Sequence, residues 1–324
     1  MNKKIGNIVF NTWAGAFFQK GGGEVQLLKS KEALEKLGLN ISMFDLWNPQ
    51  DADILHQFSI ELGVEHVVKK YKELGKKIAL STIMWTPPPK DNYFFDRIKY
   101  LLDTSDVLLT NSDMESSRIS EYFNVDIAKF HKTRNSIGEA YLSNADKNMF
   151  LDRYNIKDDF VLSVANIDQR KNTFRLVQAC KRLNIPLITV GHIKDSDYYN
   201  SFCGEYEKYL HLGPIEDEEM LKSAYSACAL FALPSLCETP GIAALEAGSQ
   251  GAKIVITQEG SALEYFLDYA AYVDPLNLES LIEGIRSKLS ESKTSTLSKL
   301  IRENYTWDQT AKEIVEAYKR IKKV

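Results

Sequence analysis

Within LPSLCETPGIAALEAGSQGAKIVIT, Leu233–Thr257, two glutamates stand with seven residues between them, Glu238 after an apolar run and Glu246 inside a run rich in alanine and glycine. The residues ALFALPS just upstream read as a fully buried strand. Thr239 reads as the cap of a helix that begins at Pro240, where a missing N–H costs nothing. Gly241 lets a ligand approach the backbone closely. A helix N-terminus at the C-terminal edge of a parallel sheet is an anion site. Pro240 cannot donate, so the N–H groups of Gly241 and Ile242 are the expected donors. Glu238 stands in the loop at that edge. Glu246, about two turns into the helix, presents a carboxylate able to accept two hydrogen bonds from a vicinal diol such as a ribose. A plainer reading stays open for Glu246 taken alone, a carboxylate that complements the helix macrodipole. The combination of buried strand, loop glutamate, Pro-Gly and second glutamate asks for more than that.

Such residues need a rigid edge to stand on. The N-terminal half alternates strand-like and helix-like segments. KIGNIVF is followed by a loop ending in Gly21-Gly22-Gly23 and by EVQLLKSKEALEKLG, whose Val25, Leu28, Leu34 and Leu37 lie near one helical stripe. Strands follow at NISMFDL, DADILHQF, KKIALSTIM and DVLLTNS. The pattern restarts at FVLSVANI, Phe160–Ile167, and runs on through KNTFRLVQACKRL, PLITVGH, DEEMLKSAYSAC, ALFALPSL, KIVITQ and AAYVDP. Short apolar strands between amphipathic helices argue for a parallel sheet with helices on both faces. The expectation is an α/β chain of two doubly wound, Rossmann-like domains, 1–145 and 146–324, parted within YLSNADKNM, Tyr141–Met149. The length agrees, because single cores rarely grow past about 250–300 residues. The last segment, NYTWDQTAKEIVEAYKRIKK, sets Trp307, Ala311, Ile314, Val315, Tyr318 and Ile321 on one face, suited to packing back across the domain junction.

Composition narrows the class. With 44% hydrophobic and 26% charged residues the chain is of the ordinary globular type, and a net charge of −4 gives no reason to expect a nucleic-acid partner. Cys180, Cys203, Cys228 and Cys237 form no CxxC pair and read as free thiols of a reducing compartment. The apolar run in MNKKIGNIVFN is too short for a signal peptide, and no run of about 18 apolar residues exists to span a membrane. A cytoplasmic location is the expectation.

The Leu233–Thr257 stretch resembles the E-x7-E signature of retaining GT-B glycosyltransferases, the family-4 group above all. VANIDQRKNTFRLVQA, HLGPIEDEEMLKSAYSACALFALPSLCE, TQEGSALEYFLDYAAYVDP and YTWDQTAKEIVEAY resemble the neighbouring segments of that family, and GGGEVQLLKSKEALEKLG is similar to its N-terminal glycine loop. The resemblance covers nearly all of Phe160–Lys323 and is thinner before it. It implies a GT-B fold with a cleft between its two domains. It implies a hexosyl-type transfer, with retention, from a nucleotide-sugar donor to a hydroxyl acceptor in bacterial cell-surface polysaccharide or glycolipid synthesis, with no cofactor and no metal. It implies that Glu238 contacts hydroxyls of the donor sugar and that Glu246 holds the ribose. Arg170 and Lys171 would neutralise the departing diphosphate, Gly21 and Gly22 would bring backbone close to the donor from the opposite domain, and Ile215 would lie beside the base. A diphosphate leaving group gains negative charge at the transition state, and positioned cations lower that barrier.

Plainer readings remain beside these. RKN before a helix also suits a solvated loop, and three glycines also suit a flexible turn. Asn166 stands where many family members carry arginine, so Arg170 beside Lys171 is the candidate replacement. The family's N-terminal-domain histidine has no counterpart in ALSTIMWTPPPK, which offers Met84 and Trp85. His56 lies on another strand and reads as a core residue. Asp51–Asp53 reads as a turn opening a strand.

The acceptor is only hinted at. KDNYFFDRIKY, Lys90–Tyr100, and VVKKYKELGKK, Val67–Lys77, mix aromatic and basic residues. They suit either a peripheral contact with an anionic inner membrane face through Lys69, Lys70, Lys76 and Lys77, or a core with Tyr93, Phe94 and Phe95 inside and solvated lysines outside. The acceptor would then be a glycan or lipid-linked molecule. Besides transfer, two readings stay open: a nucleotide-sugar epimerase, for which the N-terminal half offers no acid/base cluster, and a non-catalytic sugar-nucleotide or glycan-binding protein.

Overall fold

A computed structural model describes residues 5–18, 21–90 and 92–323. Lys4, at the start of the expected first strand, Asp91 in the aromatic–basic segment, and the chain ends lie outside the described residues. The chain divides into two compact units, Met1–Asn135 with Trp307–Val324, and Ser136–Thr306.

Unit 1 runs β1 (Asn7–Asn11), α1 (Gly22–Lys36), β2 (Asn40–Met43), β3 (Ile54–Phe58), α2 (Val64–Glu73), β4 (Lys77–Ser81), α3 (Tyr93–Thr104), β5 (Val107–Thr110), α4 (Asp113–Phe123) and β6 (Phe130–Lys132). All its strand pairs are parallel, in the order β2-β1-β3-β4-β5-β6. Parallel strands covered on both faces need apolar side chains on both, and β3, β5 and most of β1 and β4 are buried throughout. Each expected strand is present but shorter than its expected run: β1 and β3 begin later, and β2, β4 and β5 end sooner, where the chain passes into loops. Ser59 and Ile83, just past β3 and β4, take φ +67° and +46°.

Unit 2 runs α5 (Lys147–Tyr154), β7 (Val161–Val164), α6 (Thr173–Leu183), β8 (Leu187–Val190), α7 (Ser196–Asn200), β9 (Tyr209–His211), α8 (Glu218–Ala227), β10 (Leu230–Leu233), α9 (Ile242–Ser249), β11 (Ile254–Thr257), α10 (Ala262–Phe266), β12 (Ala270–Val273), α11 (Leu278–Ser290) and α12 (Thr296–Asn304). Its sheet is also parallel, ordered β12-β11-β10-β7-β8-β9. One core, with Phe160, Phe231, Leu245 and Phe266, and a second, with Val161, Leu176, Phe202 and Ile285, sandwich it. At about 1.5–3 kcal/mol for each large apolar side chain removed from water, these layers fix the strands whose ends carry the site.

One boundary differs from the sequence reading, and the last helix lies with unit 1, as that reading allowed. Unit 2 begins at Ser136 rather than within Tyr141–Met149. The Ile137 N–H donates to the Tyr305 carbonyl at 3.1 Å, and Tyr141 is buried in the unit 2 core, so this segment is already committed to the second unit. The last helix, α13 (Trp307–Lys322), belongs to unit 1. Its six expected apolar positions are all buried, and the Tyr318 hydroxyl meets Nδ1 of His56 at 2.6 Å. On α1 the buried face is Gln26, Leu27, Ser30, Ala33 and Leu34, turned from the Val25–Leu28–Leu34–Leu37 stripe. Gln26 Nε2 donates to Asn111 Oδ1 at 2.9 Å, a polar contact that hydrophobic periodicity does not see.

Candidate functional site

The unit 2 site is built at the C-terminal end of β10. The chain leaves the buried strand at Pro234 and reaches Glu238 in a loop. Glu238 is then held by its backbone: its N–H donates to the Glu259 carbonyl, and its carbonyl accepts from Ser261 N–H, both at 3.0 Å. Gly260 makes this possible. It has φ +139°, and a Cβ there would lie 1.9 Å from the Glu238 oxygen, so only glycine lets the two segments run together.

The helix after Glu238 differs from its expected start. Thr239–Pro240 is a cis peptide, and Gly241 has φ +90° and ψ +93°, which is not helical. Gly241 therefore takes the cap position in place of Thr239, and Ile242 the first helical position in place of Pro240. Being the first residues of the helix, Ile242 and Ala243 have N–H groups without intrahelical acceptors, the arrangement that binds anions. An added Cβ on Gly241 would sit 2.9 Å from Leu233 Cδ2 and 3.5 Å from Glu238 Oε2, so this backbone lies against the carboxylate.

Arg170 and Lys171 sit in a 3-10 turn, Gln169–Lys171, between β7 and α6. Asp168 caps the turn, its Oδ1 accepting from Lys171 N–H at 3.0 Å. The turn is tied to the Glu238 loop by Leu236 N–H donating to the Arg170 carbonyl at 2.8 Å. Asn172, at φ +58°, donates through Nδ2 to the carbonyls of Pro234 (3.0 Å) and Pro275 (2.7 Å), clamping the turn to two strand ends. This clamp was not foreseen; its signal was an asparagine directly before a helix, a residue type that tolerates the left-handed region. The outcome is a direct ion pair: Lys171 Nζ lies 2.5 Å from Glu238 Oε1, with side chains only 14% and 7% exposed. Burial alone would raise the Glu238 carboxyl, but the Lys171 ammonium, by charge and hydrogen bond, with the Ser235 hydroxyl and then Arg170, holds it below the ordinary carboxylate value. Arg170 is exposed.

Glu246 is half-buried on α9. Its Oε2 accepts from the Tyr225 hydroxyl at 3.0 Å. Burial first, and the Glu246 charge second, push the phenols of Tyr225 and Tyr141 far above their ordinary range, so both remain donors to the carboxylate. The small residues around Glu246 have a packing cause as well: a Cβ on Gly248 would lie 2.6 Å from Ile301 Cδ1 of α12. Asn166 follows β7 beside Gly191, whose added Cβ would strike the Ala165 carbonyl at 2.1 Å. Ile215, in the loop after β9, is half-buried against the unit 2 core. The structure thus brings Lys171, Glu238 and Gly241 into direct proximity and places Glu246 farther along the same helix.

Gly21 and Gly22 belong to unit 1. Gly21 caps α1, its N–H donating to Glu24 Oε2 at 2.7 Å, and a Cβ on Gly22 would meet nothing within 4 Å. His56 is wholly buried between Tyr318 and Ser81 Oγ (2.9 Å), and burial drives its imidazole down to about 3, the behaviour of a satisfied core residue. Asp51 pairs with Lys76 and Asp53 with Lys322, in an irregular segment that leads into β3. Met84 is in the core, and Trp85 carries the Arg118 guanidinium 4.9 Å from its ring centroid. Tyr93 and Phe94 are exposed, against the reading that placed them in the core, while Phe95 packs inward on Phe123 and Lys77 pairs with Asp106. Among the described residues, no helix is long and apolar enough to cross a membrane, and no three His, Cys, Asp or Glu side chains group as a metal site.

Known proteins share this architecture. The chain is 29% identical over 194 residues to an uncharacterized glycosyltransferase of Methanocaldococcus jannaschii, a match covering 55% of the chain and 50% of that protein. It is 26% identical over 248 residues to O-antigen chain mannosyltransferase B of Escherichia coli, covering 69% and 65%. The chain thus spans between half and two thirds of the length of these curated relatives. Sucrose-phosphate synthase of Thermosynechococcus elongatus superposes with a TM-score of 0.82 at 16% identity, over 97% of the chain and 98% of the other. Anabaena HepE, solved with UDP-glucose, does so at 0.78 and 15%, over 96% and 98%. These likenesses identify the α/β two-domain GT-B fold. Residues 146–307, half of the chain, match the family described as glycosyl transferases group 1, and the chain belongs to that family.

Proposed function

We propose that the protein is a retaining, metal-independent glycosyltransferase that moves a sugar from a nucleotide-sugar donor to a hydroxyl of a glycan or lipid-linked acceptor, in cell-surface polysaccharide or glycolipid synthesis. The observation that carries this reading is the buried Lys171–Glu238 pair at the N-terminus of α9. It puts a cation and a carboxylate side by side, next to backbone N–H groups that suit a phosphate. In the reaction, Lys171, Arg170 and the first turn of α9 take up the charge that develops on the diphosphate as the glycosidic bond breaks. Because their backbones are pinned, these cations reach the diphosphate by side-chain rotation alone and take the part a metal plays elsewhere. Glu238 holds the sugar by its hydroxyls. Glu246, oriented by Tyr225, accepts from the ribose diol. Ile215 lies beside the base, Asn166 completes the donor contacts, and the acceptor hydroxyl attacks from the face the diphosphate leaves, passing its proton to the departing diphosphate oxygen. The E. coli relative is a mannosyltransferase, so mannose is the first sugar to test.

The test is a thermal shift with UDP, GDP, ADP, dTDP and CDP on wild type and Glu246→Ala. A ligand at 100 times its Kd stabilises by about 2.7 kcal/mol. A shift selective for one nucleotide, lost in Glu246→Ala, is expected. A selective shift that survives in Glu246→Ala removes Glu246 from the ribose role. No shift with any nucleotide, together with no donor hydrolysis, removes the donor-binding reading.

A further inference from the structure

We propose that the Lys171–Glu238 ion pair is a selectivity device that makes the site prefer a glycosylated nucleotide over the bare nucleoside diphosphate, an inference that rests on the donor-binding reading above. Lys171 and Glu238 are each other's ion-pair partner among the described residues, at 2.5 Å and largely out of water. Their backbones are pinned: Lys171 by Asp168 and the Asn172 clamp, Glu238 by Glu259 and Ser261 across Gly260. The pair therefore exchanges partners by side-chain rotation alone.

The two cations of the turn are in different states. Arg170 is exposed and makes no ion pair among the described residues, whereas Lys171 is already committed to Glu238. A diphosphate meets Arg170 first and reaches full contact only by drawing Lys171 away from the carboxylate. Breaking a buried ion pair leaves the abandoned partner as an unmatched charge. Glu238 then needs new donors in the same place. A sugar on the diphosphate supplies them, because its hydroxyls donate to carboxylate oxygens. A bare nucleoside diphosphate supplies none and binds against the cost of a Glu238 left without its cation, with the Ser235 hydroxyl as the side-chain donor that remains beside it. The same asymmetry favours release of the diphosphate once the sugar has been transferred.

Glu238→Gln removes the charge that holds Lys171 while keeping the side chain's shape. Titration calorimetry without acceptor, using UDP, GDP, UDP-glucose and GDP-mannose, reads the consequence on wild type, Glu238→Gln, Lys171→Gln and the double variant. In Glu238→Gln the bare diphosphate is expected to bind more tightly by about tenfold, the equivalent of 1.4 kcal/mol, while the preference for the sugar-bearing nucleotide shrinks. The gain is expected to vanish when Lys171 is also glutamine. Unchanged or weaker diphosphate binding in folded Glu238→Gln overturns the inference, as does a gain that persists without Lys171. Should Glu238→Gln not fold by circular dichroism, Glu238→Asp, whose shorter carboxylate loosens the pair, is held to the same expectation. If wild type binds none of the four probes and shows no shift with ADP, dTDP or CDP and no donor hydrolysis, the donor-binding reading fails and the inference with it. If it binds them and Glu238→Gln gives no gain, the selectivity device alone is refuted.

Discussion

Gly260 shows how tightly the Glu238 loop is built. Gly260→Ala would put a Cβ 1.9 Å from the Glu238 carbonyl oxygen, 2.8 Å from its carbonyl carbon and 2.9 Å from its nitrogen. Real Cβ contacts do not close below 3.0 Å, so the two backbones must part by about 1 Å, the scale at which catalytic misplacement costs roughly 100-fold. The atoms met are backbone, so no side chain can swing aside. The φ of +139° adds strain of its own. Overpacking and strain together come to about 2–6 kcal/mol, which in a unit of this size lowers Tm by roughly 4–24 °C. Differential scanning calorimetry and the rate of nucleotide release from the donor read the two effects. Gly204→Ala, where a Cβ meets nothing within 4 Å, is the matched control and is expected to leave both unchanged. Wild-type Tm and wild-type rate in Gly260→Ala would refute the assignment of this loop as the rigid seat of Glu238.

Asn172→Ala removes both donors to the Pro234 and Pro275 carbonyls; it is expected to cost about 1–3 kcal/mol in urea unfolding and to reduce donor turnover more than Gly204→Ala does. His56 gives a pH signature. Its folded-state value, about 3, lies below the ordinary 6.5, so the unfolded chain takes up a proton first as pH falls. The stability tied to neutral His56 is therefore full above pH 6.5 and is lost towards pH 3, by about 1.4 kcal/mol per pH unit. The stability difference between wild type and His56→Gln should shrink at that rate from pH 6 to pH 5; a constant difference would show that His56 is not buried neutral.

Much of this was legible in the sequence because long apolar runs punctuated by turn residues leave few alternatives. FVLSV, ALFAL and KIVIT could only be buried strands, and the Trp307–Ile321 stripe could only be an amphipathic helix. The edge strands β6 and β9, Phe130–Lys132 and Tyr209–His211, were missed because three residues with polar members carry no periodic signal. The E-x7-E spacing located the carboxylates, but not the true start of α9, because a cap is set by backbone angles at Gly241 rather than by residue type. The clamp at Asn172 and the seat at Gly260 depend on contacts between segments roughly 60 and 20 residues apart, which local propensity does not encode. The Lys171–Glu238 pair was foreseeable only as two separate roles; their direct contact needed the fold.

The central claim is transfer with retention from a nucleotide sugar, and proton NMR of the products tests it most directly. Wild type is incubated with GDP-mannose or UDP-glucose, and the first-formed anomer of the released or transferred sugar is recorded before mutarotation. The α-anomer from an α-linked donor is expected, with turnover lost in Glu238→Ala and unchanged by chelator. The β-anomer, or tight nucleotide binding with no turnover in the presence of acceptor extracts, would contradict the account.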